Sequence, residues 1–222
     1  PERLSATTEK PNAFMLKSKT FFSRLNITDN ELIHKIKNLT NHQSNPLIPD
    51  SFTKLKLPAP DRIITARELP QLCFDSPMDT SEAMQGNRAF YALDRLKTRH
   101  SHGYLRAGDH RIHVQIFQPL TQAVGTVWVL HGYLEHSGLY QPMIAELLAQ
   151  SFTVLTLDLP GHGLSSGEQT GIAEFSVYQD MLKDVHEWAT QQQKDALPRP
   201  WLGIGQSTGC AIWMDHVLTT CT

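Results

Sequence analysis

Charge of one sign is what this sequence most conspicuously lacks. Twenty Lys and Arg stand against 22 Asp and Glu, a formal net charge of -2, so no basic footprint for nucleic acid and no bulk field for an oppositely charged partner is present. Long apolar runs are also missing, and no stretch approaches the length of a membrane span. Cysteine is scarce: Cys73, Cys210 and Cys221 are an odd number without C-x-x-C spacing, which excludes a disulfide framework or a thiolate metal site and suits reduced, core-directed thiols. That weakly favours a reducing compartment, and a cytoplasmic location is the expectation. With 40% hydrophobic residues in 222, the chain is long enough to bury a sizeable core.

Regular pattern is sparse in the first hundred residues. Pro46, Pro49, Pro58 and Pro60 interrupt a polar stretch that has no strand-like alternation. Thr28-Asp29-Asn30-Glu31 forms a capping box ahead of Leu32, Ile33, Ile36 and Leu39, which predicts one helix. Phe14 to Leu25, with Lys17, Lys19 and Arg24 among aromatics, reads more readily as a solvated or core-touching segment than as a membrane-surface helix. Asn26-Ile27-Thr28 and Asn38-Leu39-Thr40 match the glycosylation acceptor, a triplet common by chance. A second helix is predicted from Ser81 to about Lys97, capped by Thr80 or Ser81 and carrying Ala89, Phe90, Leu93 and Leu96 towards a core. These residues, 1–100, read as a partly helical N-terminal extension, and 101–222 as a separate domain.

Beyond residue 100 the periodicity changes. Ile112, Val114 and Ile116 alternate with His113, Gln115 and Phe117 after a turn at Gly108-Asp109, which predicts an antiparallel hairpin at a sheet edge. Val127 to Leu130, Phe152 to Leu157 and Trp201 to Ile204 are continuous apolar runs, as strands covered on both faces require. Between them lie helical stripes: Tyr140, Ile144, Leu147 and Leu148, then Tyr178, Met181, Leu182, Val185, Trp188 and Ala189. Alternating strands and helices predict an α/β fold with a mostly parallel sheet and helices on both faces. In such sheets the site lies at the carboxyl ends of the strands, which selects the loops after Leu130, Leu157 and Ile204.

The last of these reads Gly205-Gln206-Ser207-Thr208-Gly209, with an apolar strand before it and Cys210, Ala211, Met214, Val217, Leu218 and Cys221 at helical spacing after it. G-x-S-x-G between a strand and a helix is the nucleophile-elbow pattern, so Ser207 is the candidate nucleophile, and Gly205 and Gly209 allow the close packing such a turn needs. Acyl transfer also needs two fixed backbone N–H donors for the oxyanion, one from the residue after the nucleophile and one from the first loop. Thr208 and Tyr133 fill those roles, with Gly132 letting the backbone approach the substrate. In the middle loop, Asp158 to Gly167, His162 sits between two glycines and reads as a hydrogen-bonded brace rather than a general base.

From about Gly103 onward the sequence resembles the first half of an α/β-hydrolase, closest to the monoacylglycerol lipase, lysophospholipase and serine aminopeptidase-like branch. The resemblance is carried by His131-Gly132, Glu135-His136-Ser137-Gly138 and Tyr140, by Asp158 with Gly161-His162-Gly163, Ser165 and Gly167, and by Gly205, Ser207 and Gly209. It implies a serine carboxylic-ester hydrolase acting on lipid-like substrates, with no metal or organic cofactor, and places Glu135 near the polar part of the substrate. Peripheral contact with a membrane or lipid aggregate is compatible with that class. The family commonly has His-Ser-Met-Gly where this chain has Gln206-Ser207-Thr208-Gly209, and Arg where it has Leu139.

A serine needs a histidine base oriented by a carboxylate, and in this fold both follow the nucleophile. After Ser207 only Asp215 and His216 are available. On a helix rising about 1.5 Å per residue they lie roughly 12 Å or more along the axis from Ser207, out of reach, and read as helix-surface residues. The expectation is therefore a chain truncated after the nucleophile helix, lacking the triad Asp and His and inactive alone. A peptidase or thioesterase on the same fold, and a non-catalytic relative that binds hydrophobic ligands, remain alternatives.

Overall fold

The computed structural model describes residues 70–72, 82–192 and 196–220. The helix expected at 32–39, the Phe14–Leu25 segment, both glycosylation triplets, the Thr80 and Ser81 caps, Cys73 and Cys221 lie outside them.

The apolar runs form the sheet. Strands β1 (Thr98–Ala107), β2 (His110–Pro119), β3 (Gly125–Leu130), β4 (Phe152–Leu157) and β5 (Trp201–Gly205) assemble in the order β1-β2-β4-β3-β5. The hairpin β1–β2 is antiparallel and turns at Gly108-Asp109, and β2 meets β4 antiparallel. β4, β3 and β5 are parallel, with Val127 opposite both Val154 and Leu202. The helices are α1 (Glu82–Phe90), α2 (Gln141–Ala149), α3 (Ser176–Gln191) and α4 (Thr208–Thr220).

Period-two geometry divides the core between the two faces of this sheet. Trp128, Leu130, Leu155 and Leu157 point into a cluster with Met181, Leu182 and Val185 of α3 and Ile212 and Trp213 of α4. Val127, Val129, Phe152 and Val154 point the other way, onto Ile144 and Leu147 of α2. Each such side chain contributes roughly 1.5–3 kcal/mol by leaving water. Every residue of β3 and β4 is buried, as strands covered on both faces must be, and the sheet therefore holds its carboxyl-end loops on a rigid base.

One expectation changes. The helix predicted to run to Lys97 ends at Phe90: Ala92 is left-handed with φ 55°, and a 3-10 turn at Leu93–Arg95 follows. That turn still buries Leu93, whereas Ala89 is exposed, so the apolar spacing is satisfied by a broken element instead of one continuous helix. The hairpin lies at the sheet edge as expected, with β1 outermost; β2 is buried on both faces from Ile112 to Phe117, with His113 2% and Gln115 3% exposed. The partners of those two polar residues lie in the site loops.

Candidate active site

β5 ends at Gly205, and the chain reverses into α4 within two residues, Gln206 and Ser207. Gln206 N–H extends the ladder to Leu130 O (3.1 Å), while Ser207 O already accepts from Cys210 N–H (2.9 Å) and Ala211 N–H (3.1 Å). The turn forces Ser207 to φ 47°, a region that costs a non-glycine residue about 1–3 kcal/mol and persists only where the surroundings fix it. The surroundings here are backbone. A Cβ on Gly205 would lie 2.4 Å from the carbonyl carbon of Gly209, and one on Gly209 would lie 2.4 Å from Leu130 O. Helix and strands thus meet at a distance only glycine permits, and Ser207 is left exposed at the apex.

The loop after β3 is fixed by its own side chains. His131 is fully buried; its Nε2 accepts from Leu159 N–H (2.9 Å), so Nδ1 carries the proton and donates to Gly132 O (2.7 Å). Burial, the largest influence, lowers its pKa although Asp158 and the Gly132 contact oppose this, and His131 stays neutral. Gly132 O also accepts from Glu135 N–H at 3.2 Å. In a trans peptide the N–H opposes the C=O, so tying down the Gly132 carbonyl aims the Tyr133 N–H the other way. Among the described residues neither Tyr133 N–H nor Thr208 N–H has an acceptor. For Thr208 this is the ordinary state of the first helical residue, whose N–H lies at the positive end of the helix dipole.

Glu135 joins the two loops. Its Oε2 accepts from Gly132 N–H (2.8 Å) and Tyr140 OH (2.5 Å), and its Oε1 from Gln206 Nε2 (3.1 Å). Burial first, then the hydrogen bond to and charge of Glu135, push the Tyr140 phenol far above its usual range. The carboxylate expected beside the substrate's polar part is therefore engaged by three groups of the chain itself.

Asp158 anchors the whole cluster and was not singled out from the sequence on physical grounds. Its Oδ1 accepts from Ser137 N–H (2.7 Å), and its Oδ2 from His113 Nδ1 (3.0 Å) and Leu164 N–H (2.9 Å). Burial alone would raise its carboxyl, but the hydrogen bond and charge of His113, with His131 and Leu164 N–H, hold it well below the usual carboxylate range. Gln115 Nε2 donates to Ser137 Oγ at 2.8 Å, so the two buried polar residues of β2, His113 and Gln115, brace the loop that carries Glu135. The signal available in the sequence was two polar residues in an apolar strand. His162 is buried, bonds Pro160 O through Nδ1 at 2.8 Å, and lies edge-on to Tyr133 at 5.8 Å between ring centroids, the position of a brace.

Asp215 and His216 are half-buried on α4 rather than on its open surface. His216 packs 6.0 Å from Trp213 and 6.5 Å from His186 between ring centroids, and burial, then His186, lowers its pKa. Cys210 is a free, partly buried thiol. Among the described residues no group of three His, Cys, Asp or Glu is placed to hold a metal ion, and no helix is long and apolar enough to cross a membrane.

The sequence profile of the serine aminopeptidase (S33) family matches residues 121–221, the stretch that holds β3 to α4. A monoacylglycerol lipase of Mycolicibacterium smegmatis is 30% identical over 115 residues, which cover 52% of this chain and 40% of that protein. The human monoglyceride lipase is 30% identical over 108 residues, covering 49% and 35%. Est1E of Butyrivibrio proteoclasticus, solved with ferulic acid, superposes with a TM-score of 0.46 at 18% identity over 52% of this chain and 47% of that one. The chain thus spans less than half the length of these relatives. Sheet, crossovers and family match define an α/β-hydrolase fold, of which the described residues cover about half. Within that class residues 121–221 are similar to the branch of the monoacylglycerol lipases and serine aminopeptidases.

Proposed function

We propose that the protein is a serine hydrolase that cleaves carboxylic esters of lipid-like substrates, of monoacylglycerol or lysophospholipid type, through an acyl-enzyme on Ser207. The observation that carries this reading is the exposed serine at a left-handed apex, with the N–H groups of Tyr133 and Thr208 lacking acceptors among the described residues. In the acylation step a base takes the Ser207 proton, Oγ bonds to the carbonyl carbon, and the N–H groups of Tyr133 and Thr208 hold the oxyanion. The C–O bond to the alcohol then breaks, the alcohol leaves with the proton, and water repeats the sequence on the acyl-enzyme.

The reading requires a base that takes the Ser207 proton and a carboxylate that orients it; among the described residues no histidine bonds Ser207. Residues 1–100 are assigned as an N-terminal extension and 101–222 as the hydrolase part, interlocked where Gln71 bridges Tyr104 and Leu72 enters the core. Contact with a membrane surface or lipid aggregate belongs to the same reading: Tyr133, Leu134 and Leu139 expose 52%, 70% and 53% of their surface on the loop beside Ser207, an apolar rim suited to an acyl chain.

The test is turnover by the full-length protein and its Ser207→Ala variant on monoacylglycerols, lysophospholipids, thioesters and aminoacyl amides. The reading requires ester hydrolysis that the substitution abolishes. Preference for thioesters or amides would favour a thioesterase or peptidase, and biological activity that survives Ser207→Ala would favour a ligand-binding role.

A further inference from the structure

We infer that Glu135 and Gln206 form a strap that sets the spacing between the two oxyanion donors, which makes Gln206 a positioning residue for acyl transfer; this rests on the serine-hydrolase reading above. The two donors belong to different strands. Tyr133 follows β3 and Thr208 follows β5, and the last backbone hydrogen bond between those strand ends among the described residues is Gln206 N–H to Leu130 O, at 3.1 Å. Past that point the loop 132–135 and the elbow 206–208 are joined by one side-chain bridge, Gln206 Nε2 to Glu135 Oε1 at 3.1 Å.

Both ends of the bridge are rooted beside a donor. The other oxygen of Glu135 holds Gly132 N–H at 2.8 Å, one peptide from the Tyr133 N–H, and Tyr140 OH closes the same oxygen from behind at 2.5 Å. Gln206 immediately precedes Ser207 and lies two residues from Thr208. A Cβ on Gly132 would sit 2.9 Å from Glu135 Oε2 and 3.4 Å from Gln206 O, so loop and elbow already touch here and the strap fixes how they sit against each other. Donor placement matters because an error of about 1 Å in such a site can cost on the order of a hundredfold in rate.

The full-length protein is assayed for kcat and KM on a soluble ester as wild type, Gln206→Leu, Gln206→Glu and the exchange Glu135→Gln with Gln206→Glu. Gln206 is exposed, so the substitutions at position 206 leave folding intact. Gln206→Leu is expected to lower kcat about tenfold with KM within about twofold, the pattern of an interaction felt in the transition state. Gln206→Glu, which opposes two carboxylates, is expected to fall further, and the exchange, which restores an amide-to-carboxylate bond, to recover most of that loss. A Gln206→Leu kcat within about twofold of wild type, or an exchange no better than Gln206→Glu alone, overturns the strap. If instead Ser207→Ala leaves hydrolysis intact, the hydrolase reading falls separately, and hydrogen exchange at the Gly132 amide decides the strap: about tenfold faster exchange in Gln206→Leu supports it, unchanged exchange overturns it.

Discussion

Gly209 lies so close to Leu130 that a Cβ on the glycine would stand 2.4 Å from the Leu130 carbonyl oxygen. This contact seats α4 on β3 and holds the nucleophile turn above the ends of two strands. Gly209→Ala is accordingly expected to destabilise the protein by 3 kcal/mol or more, on the order of a severe overpacking defect, because the obstacle is backbone. Gly86 within α1 has nothing within 4 Å of its Cβ position, and Gly86→Ala is expected to stabilise by about 0.5–1 kcal/mol through helix propensity. Denaturant titration of the two variants checks the pair.

Asp158 gives a second prediction. Its oxygens face N–H donors from Ser137, Leu164 and His113, so Asp158→Asn turns an amide NH2 against at least one of them. A loss of about 3–5 kcal/mol is expected, as for breaking a buried pair. The folded-state pKa is depressed, so the carboxylate's contribution is full above the unfolded value near 3.9 and fades as pH falls below it. The stability difference between wild type and Asp158→Asn is therefore expected to narrow between about pH 4 and more acid values, measured by denaturation across that range.

The buried histidines act in a higher window. Burial, the first cause in each case, lowers the pKa of His100 and of His131, so below about 6.5 the unfolded chain binds protons that the folded chain refuses. Stability is expected to be full above that value and to drop on going from pH 7 to pH 5. His131→Gln is expected to flatten this drop, at the expense of the Leu159 N–H contact, in melting curves at the two pH values.

The elbow carries backbone strain at Ser207. Ser207 at φ 47° is expected to become more comfortable as Ser207→Gly, stabilising the fold by on the order of 1 kcal/mol, seen as a higher melting temperature, while eliminating hydrolysis. A lower melting temperature would show that the Ser207 side chain itself supports the turn.

The sheet was legible because β3, β4 and β5 are uninterrupted apolar runs, a pattern only strands covered on both faces require, and because the elbow glycines mark a turn with no room for a Cβ. β1 gave no such signal: Thr98 to Ala107 is mostly polar, and only its pairing with β2 makes it a strand. His113 and Gln115 look like the solvent side of an alternating strand and are in fact buried supports for Asp158 and Ser137. Partners 45 and 22 residues away leave no local trace. Glu135 was pointed to by the family resemblance alone, and its bonds to Gly132, Tyr140 and Gln206 depend on how two strand ends meet, which spacing along the chain does not encode.

β5 is the last strand of the sheet among the described residues, and its outer edge offers unpaired N–H and C=O groups to other chains. The 222-residue chain is expected to self-associate with rising concentration, read by light scattering. A monodisperse monomer at high concentration would show that this edge is covered.

The most direct measurement for the central claim is mass spectrometry of the full-length protein quenched during turnover of a slowly deacylating ester. The account predicts one acyl group per chain, on the peptide that contains Ser207, absent from Ser207→Ala. Ester hydrolysis with no adduct on that peptide, undiminished in Ser207→Ala, would contradict it.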